Sequence, residues 1–164
     1  MSSVRFDLSS LPQQEVSELV DNTAQTFSLN EDQTVALQSI ADMFVQGGGR
    51  HVTLIHGVFG AGKSFLLSVV VLFLVQLFEL IETRFQLEVR LKLLISSITN
   101  VAVDRVLLML LEQAGFEEFI RVGSVKKISK QILPLSVHAS DKDDQVRYVM
   151  IEFLPLLLRN VQPC

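Results

Sequence analysis

Cysteine is almost absent from this sequence, since Cys164 is its single example. An intramolecular disulfide is therefore excluded, and we expect a protein of a reducing compartment. Glycine and proline are also few, with 8 and 4 residues among 164, and no low-complexity tract occurs. The first residues, MSSVRFDLSS, lack the basic start and the apolar run of a signal peptide. We expect an ordered intracellular domain behind a short N-terminal tail.

Basic residues are outnumbered by acidic ones, with 14 Lys and Arg against 18 Asp and Glu, and the formal net charge is -4. This balance argues against a broad nucleic-acid surface, although a local basic stripe can still bind phosphates. Composition favours a solvated face for the one basic cluster, which consists of Arg121, Lys126, Lys127 and Lys130. The three histidines lack metal-ligand spacing, so no zinc site is expected.

One long apolar run raises the mean hydropathy to +0.40. The run is FLLSVVVLFLVQLFELI, residues 65–81, and its composition is similar to that of a membrane span. It is shorter than the ~20 apolar residues that usually cross a bilayer, and Ser68, Gln76 and Glu79 interrupt it. A helix packed against a parallel sheet is also apolar nearly all round. We therefore predict a buried core helix and no membrane association.

Segments of strand and helix type alternate along the chain. Strand-like runs are HVTLIHG, LKLLISSI and FIRVG, at residues 51–57, 91–98 and 119–123. Helical patterns cover a short segment at 13–22, a capped segment that begins at Asn30, and residues 99–115, 124–133 and 143–158. This alternation predicts an α/β fold in which helices flank a parallel sheet.

The segment GVFGAGKS, residues 57–64, matches the pattern G-x-x-x-x-G-K-[ST] at every fixed position. Glycines in such a loop let backbone amides face inward at the positive end of a helix, where they bind nucleotide phosphates. Lys63 is then expected to bridge the β- and γ-phosphates, and Ser64 to bind Mg²⁺. A chance glycine turn is the weaker interpretation, because a strand-like run precedes the loop and a helix follows it. The predicted nucleotide site comprises Gly57, Gly60, Ala61, Gly62, Lys63, Ser64 and Phe65.

Gln33 has two interpretations. It lies three residues after Asn30, so its side chain fits a capping box in which Gln33 bonds back to the Asn30 amide. Its amide also carries the donor and acceptor pair that matches N6 and N7 of adenine. Because Gln33 lies on a helix just upstream of the phosphate loop, we favour adenine recognition, and both roles are compatible.

The segment SSITN, residues 96–100, lies where the second strand-like run ends and a helix begins. Ligands of open α/β sheets bind at the carboxyl ends of strands, and small polar side chains there suit the phosphates of a single strand. The simpler interpretation is that Thr99 or Asn100 is an N-cap, which the residues alone favour.

Four segments, LNEDQTVAL, HGVFGAGKSFLL, LLISSITNVAVDRVL and FIRVGSVKKI, follow the order of the Q motif, motif I, motif Ia and an Arg-Val-Gly segment. Over residues 29–138 the chain resembles the superfamily-one helicases of the senataxin-like, 5'-3' branch, and within it those with a GRF-type zinc finger. The resemblance implies a nuclear DNA-repair enzyme whose RecA-like domain binds ATP and Mg²⁺. It also implies adenine recognition by Gln33 and contacts of Thr99, Asn100 and Arg121 with single-stranded DNA, with RNA as an alternative.

The chain departs from this family because it contains no Asp-Glu pair of the Walker B kind, which holds Mg²⁺ and activates water. We expect a lead-in over residues 1–28, the first part of a RecA-like domain over 29–140, and a divergent helical tail over 141–164. We expect a truncated helicase that binds ATP without hydrolysing it alone, and whose partners include the missing helicase domains. The alternatives are a non-enzymatic remnant that binds nucleic acid or protein, and a small P-loop kinase.

Overall fold

The structure is a computed structural model that describes residues 11–45, 52–87 and 91–139, together with the backbone of residues 149–153. The chain divides into two units, Met1–Leu87 and Glu88–Cys164. Among the described residues, the first unit contains three helices and the loop GVFGAGKS, residues 57–64, which we name the Walker A loop. Those of the second unit contain three strands and one long helix.

The first unit consists of helices α1 (Gln13–Thr26), α2 (Glu31–Val45) and α3 (Lys63–Phe85). Helix α1 is longer than the segment that its sequence pattern predicts, and it packs against both α2 and α3. Helix α2 buries one face, at Leu37, Ile40 and Ala41. Phe44, on the same face, meets the ring of Phe78 edge-on at 6.1 Å between centroids. Aromatic and aliphatic packing therefore fixes the helix that carries Gln33.

Helix α3 is the one helix among the described residues that is long and apolar enough to cross a membrane. Of its most apolar window, 61% is buried inside the protein. Its buried side chains lie on all sides of the helix, as expected for the predicted core helix: Leu66, Ser68, Val69, Val70, Val71, Phe73, Leu74, Val75, Leu77, Phe78 and Ile81. Buried core helices and membrane spans can share this length and composition, and here the burial of the apolar side chains matches a core helix.

The predicted strand before the Walker A loop is wrong for the described residues, because residues 52–58 have no regular secondary structure. Val52 and Leu54 expose 74% and 90% of their surface. A strand is stabilised by hydrogen bonds to a neighbouring strand, and among the described residues this segment has none. Its apolar, β-branched sequence is thus insufficient to make it a strand.

The second unit contains β1 (Leu93–Ser97), α4 (Asn100–Ala114), β2 (Phe119–Arg121) and β3 (Val149–Phe153). The strand order is β1-β3-β2, and both neighbouring pairs are parallel. Helix α4 packs against β1 and ends at Gly115, whose φ of 59° is in the left-handed region. The elements β1, α4 and β2 occur where the sequence predicts them.

Two predicted helices are not helices in the structure. Residues 124–133 contain only a short 3-10 turn, Val125–Lys127, and a second turn follows at Leu133–Leu135. The backbone of this segment bonds elsewhere, since the Ser129 N–H donates to a side chain of α4. In the predicted tail helix, Val149–Phe153 forms the central strand β3 because strands on both sides supply partners. The rest of the predicted tail helix lies outside the described residues.

Candidate nucleotide site and motif Ia region

The Walker A loop, residues 57–64, has the backbone that its glycines predict. Gly60 and Gly62 have φ values of 81° and 75°, a region that costs other residues about 1–2 kcal/mol. Helix α3 begins directly after Gly62, whose carbonyl accepts from the Leu66 N–H at 2.8 Å. The N–H groups of Lys63, Ser64 and Phe65 belong to the first turn and have no acceptor within the helix. This end of α3 therefore offers donors and a positive dipole to an anion.

The Lys63 ammonium lies inside the loop. It donates to the carbonyl oxygens of Gly57 and Val58 at 2.7 and 2.6 Å. The ring of Phe59 lies beside it, 6.0 Å from ring centroid to Nζ, and this ring is fully exposed. Because Lys63 is itself exposed, these carbonyls can be exchanged for phosphate oxygens without leaving a buried group unpaired.

Gln33 forms the capping box at the start of α2. Its Oε1 accepts from the Asn30 N–H at 3.1 Å, and Asn30 Oδ1 accepts from the Gln33 N–H at 2.9 Å. The same side chain reaches the Walker A loop, because a Cβ atom added to Gly62 would lie only 2.7 Å from Gln33 Nε2. Capping is thus present in the structure, while adenine recognition stays a prediction. The two are compatible, since an amide oxygen accepts two hydrogen bonds and the amide nitrogen donates two.

A cleft of about 540 Å³ lies between α2, the segment 52–58 and the Walker A loop. Of the predicted nucleotide-site residues, Gln33, Gly57, Ala61 and Lys63 line it. Gly60 and Gly62 shape the loop, and Ser64 and Phe65 occupy the first turn of α3. The sequence did not indicate the other wall of the cleft, which is formed by Val35, Ala36, Ser39, Thr53, Leu54 and Ile55. The pattern that would have indicated this wall is a mixture of apolar and polar residues on the face of α2 opposite its buried face.

Metal binding has limited support from the protein side chains. Ser64, the residue predicted to bind Mg²⁺, is half-buried in the first turn of α3. Within the described ranges, no group of three His, Cys, Asp or Glu side chains could hold a metal ion. The residues fit a magnesium ion that is carried by a nucleotide rather than one held by the protein alone.

Thr99 and Asn100 lie at the start of α4, directly after β1. Thr99 Oγ1 accepts from the Ala102 N–H at 3.3 Å, so Thr99 is the N-cap. Asn100 is half-buried, and its Oδ1 accepts from Arg121 Nη2 at 2.8 Å. The sequence-based capping interpretation is confirmed for Thr99, and the contacts with nucleic acid stay predictions.

Arg121 is fully buried, and its guanidinium donates to two groups besides Asn100. Its Nε donates to Asp104 Oδ1 at 2.8 Å, and Nη1 donates to the Val122 carbonyl. The other carboxylate oxygen of Asp104 accepts from the Ser129 N–H at 2.8 Å. Buried charges are stable only when they are paired and hydrogen-bonded, and both charges here meet that condition.

Gly123 completes this arrangement. A Cβ atom there would lie 2.9 Å from Arg121 Nη1 and 3.6 Å from Asn100 Oδ1, so glycine leaves room for the guanidinium. We name these residues the Arg121 cluster: Asn100, Asp104, Arg121, Gly123 and Ser129.

The position of Arg121 differs from the predicted contact with nucleic acid. Its side chain is 1% exposed and is held by Asp104, so its donors are not presented to a phosphate. The lysines of the predicted basic cluster, Lys126, Lys127 and Lys130, are all exposed. Arg121 is buried because Asp104, a charged residue on the buried face of α4, is neutralised by a cation that is buried with it.

Comparison with known families adds to this geometry. A family model described as AAA domain matches residues 28–151, which is most of the chain. The chain belongs to the AAA-domain family. Members have the α/β fold of P-loop NTPases, and the Walker A loop found here lies within the matched region.

A curated relative of this AAA domain is the 5'-3' DNA helicase ZGRF1 of Mus musculus. The two are 52% identical over 128 residues, which is 71% of this chain and 7% of the relative. The chain therefore resembles a small part of a superfamily-one helicase, as its motifs predict. No solved structure matches the chain.

Proposed function

We propose that this AAA domain binds ATP at the Walker A loop, as the first part of a RecA-like helicase domain in which helices flank a parallel sheet. The observation that carries the proposal is the close approach of Gln33, which lines the cleft, to Gly62 of the Walker A loop. The residue predicted to contact adenine thus lies beside the loop predicted to bind phosphates, although 29 positions separate Gln33 and Gly62 along the chain.

The residues of the loop account for phosphate binding. The first-turn N–H groups of Lys63, Ser64 and Phe65 donate to phosphate oxygens, and the Lys63 ammonium exchanges the Gly57 and Val58 carbonyls for them. The Ser64 hydroxyl would supply a ligand to the Mg²⁺ that accompanies the nucleotide. Bound ATP supplies a phosphoric anhydride that a complete helicase hydrolyses to drive movement along a strand.

Gln33 and the apolar wall of the cleft account for base binding. The adenine ring packs against the wall that includes Val35 and Ala36, and the Gln33 amide pairs with its N6 and N7 groups. The capping box holds the Gln33 side chain in place before the base arrives, which lowers the entropy cost of binding.

The start of α4 contacts the backbone of single-stranded DNA through Thr99 and Asn100. Both lie at a strand-to-helix junction, and the half-buried amide and the cap hydroxyl are uncharged groups that suit phosphate oxygens. Contacts of this kind position a strand without reading its bases, so single-stranded RNA is a ligand of the same class.

The 164 residues bind ATP without turning it over. No Asp-Glu pair occurs among them, and the described residues contain no group of three His, Cys, Asp or Glu side chains that could hold a metal ion. In our proposal, activity requires further helicase domains, supplied by a longer chain or a partner, and the complete enzyme acts on DNA in the nucleus, in DNA repair.

Calorimetry with Mg-ATP tests the nucleotide site. The wild-type chain is expected to bind, and Lys63→Ala to weaken binding by about 10- to 100-fold, since it removes charge-assisted hydrogen bonds to phosphate. The matched control is Lys92→Ala, an exposed lysine of the other unit, which should bind ATP as the wild type does. Phosphate release should remain at background with and without oligothymidylate. A folded wild-type chain that does not bind Mg-ATP would refute the proposal.

A further inference from the structure

The contact between Arg121 and Asn100 fixes which end of the Asn100 amide faces outward. A guanidinium has five donors and no acceptor, so the Asn100 atom at 2.8 Å from Nη2 has to be the oxygen. The NH₂ end is then directed away from Arg121, and it makes no hydrogen bond to any residue that the structure describes. Phosphate oxygens accept hydrogen bonds and do not donate them, so an outward NH₂ is the end that a nucleic-acid backbone requires.

We propose that Arg121 is a positioning residue that orients Asn100 as a hydrogen-bond donor toward the phosphate backbone of a single strand. The inference rests on the proposed function, namely that Thr99 and Asn100 contact nucleic acid. Arg121 does not contact the ligand in this role. Its charge is neutralised inside the protein, and it acts by fixing the orientation of the Asn100 amide.

The Arg121 cluster has the rigidity that such a role needs. The guanidinium is bonded to Asp104, to Asn100 and to the Val122 carbonyl, so its plane cannot rotate without breaking a bond. Asp104 is held in turn by the Ser129 N–H. Gly123 leaves no side chain to compete for this space. A lysine could not replace Arg121, because one ammonium on a flexible stem cannot reproduce the planar fork.

Burial argues against a direct contact. Arg121 is 0% exposed, and a phosphate would have to displace Asp104 to reach its guanidinium. Two lysines nearby in the sequence, Lys126 and Lys127, are exposed. They are better placed than Arg121 to attract the phosphate backbone over a long range.

The test measures the affinity of the full chain for a fluorescein-labelled oligothymidylate by anisotropy, over a range of salt concentrations. The variants are Arg121→Lys, Asn100→Ala, their double mutant and Asn100→Asp. Arg84→Lys is the matched control, since Arg84 is an exposed arginine of the first unit. Mg-ATP affinity and far-UV circular dichroism are measured on every sample.

Arg121→Lys and Asn100→Ala are each expected to lower the affinity by about tenfold, the size of one hydrogen bond to a charged group. The double mutant should lose no more oligothymidylate affinity than either single mutant, since Arg121 acts through Asn100. The slope of log affinity against log salt should stay unchanged, because no cation that contacts phosphate has been removed. ATP affinity should also stay unchanged.

Asn100→Asp keeps the inference testable if Arg121→Lys fails to fold. The aspartate still accepts from Arg121 but offers no donor, so it should lose at least as much affinity as Asn100→Ala. Oligothymidylate affinity equal to that of the wild type in Asn100→Asp would overturn the inference. So would additive losses in the double mutant, or a salt slope smaller by about 0.7 in Arg121→Lys, which would indicate a direct phosphate contact. A wild-type chain that binds Mg-ATP but no oligothymidylate would instead refute the proposed strand contact, and the inference with it.

Discussion

The Walker A loop and the Arg121 cluster hold their functional side chains in opposite ways. The loop is exposed and uses backbone geometry, with two glycines at positive φ and the first turn of α3. The Arg121 cluster is buried and uses side-chain hydrogen bonds among residues that lie far apart in the sequence. Loss of a side chain from the loop should therefore change mainly ligand affinity, whereas loss of a buried charge from the Arg121 cluster should also lower the stability of the fold.

Asp104→Asn should have the largest effect, because it leaves the Arg121 charge buried without its counter-ion. We expect the free energy of unfolding to fall by about 3–5 kcal/mol. Urea denaturation followed by circular dichroism measures it. Glu112→Gln is the control on the same helix, and at this exposed position the change should stay within about 0.5 kcal/mol. Equal stabilities for the two variants would contradict the contrast between buried and exposed regions.

Gly62→Ala tests whether the loop is held by backbone conformation alone. The variant places a residue at φ 75° and brings its Cβ against Gln33 Nε2, so we expect a loss of about 2–3 kcal/mol. Gly60→Ala is the matched control, because Gly60 has φ 81° and no atom near its Cβ position. Its free energy of unfolding should fall by about 1–2 kcal/mol, because only the backbone conformation is unfavourable.

The difference between these two glycine variants isolates the contact between Gln33 and the loop. In a Gln33→Ala background, which lacks that side chain and its capping bond, Gly62→Ala and Gly60→Ala should cost equal stability relative to Gln33→Ala alone, as measured by urea denaturation. If Gly60→Ala and Gly62→Ala are equally destabilised, the contact of Gln33 with the loop carries no energy.

Thr99→Ala should have the smallest effect. It removes the acceptor of the Ala102 N–H, and loss of an N-cap costs about 1 kcal/mol. Asn30→Ala at the start of α2 should cost about the same, because both caps are local and exposed. Thr99→Ser keeps the hydroxyl and should retain nearly all of the stability. A much larger loss in Thr99→Ala than in Asn30→Ala would mean that the start of α4 depends on more than its cap.

Local features were predictable because they depend on neighbouring residues. The Walker A loop, the capping box of Asn30 and Gln33, and the cap at Thr99 each lie within eight consecutive residues. The helical patterns of α2 and α4 were likewise predictable, and each of these helices buries one face, at Leu37 and at Leu107. Steric limits on the backbone and the 3.6-residue period leave few alternatives for such segments.

Tertiary structure decided what depends on distant partners. The segment 52–58 has a strand-like sequence but no neighbouring strand among the described residues, while Val149–Phe153, predicted as helix, is a strand between two others. Arg121 belongs by sequence to a basic cluster, yet Asp104, 17 residues earlier, draws it into the interior. The sequence by itself thus determined the phosphate loop and the helix caps, whose hydrogen bonds are local. The pairing of the strands and the burial of the Arg121–Asp104 ion pair were decided by contacts between segments. A strand or a buried charge is stable only when its partner is in place.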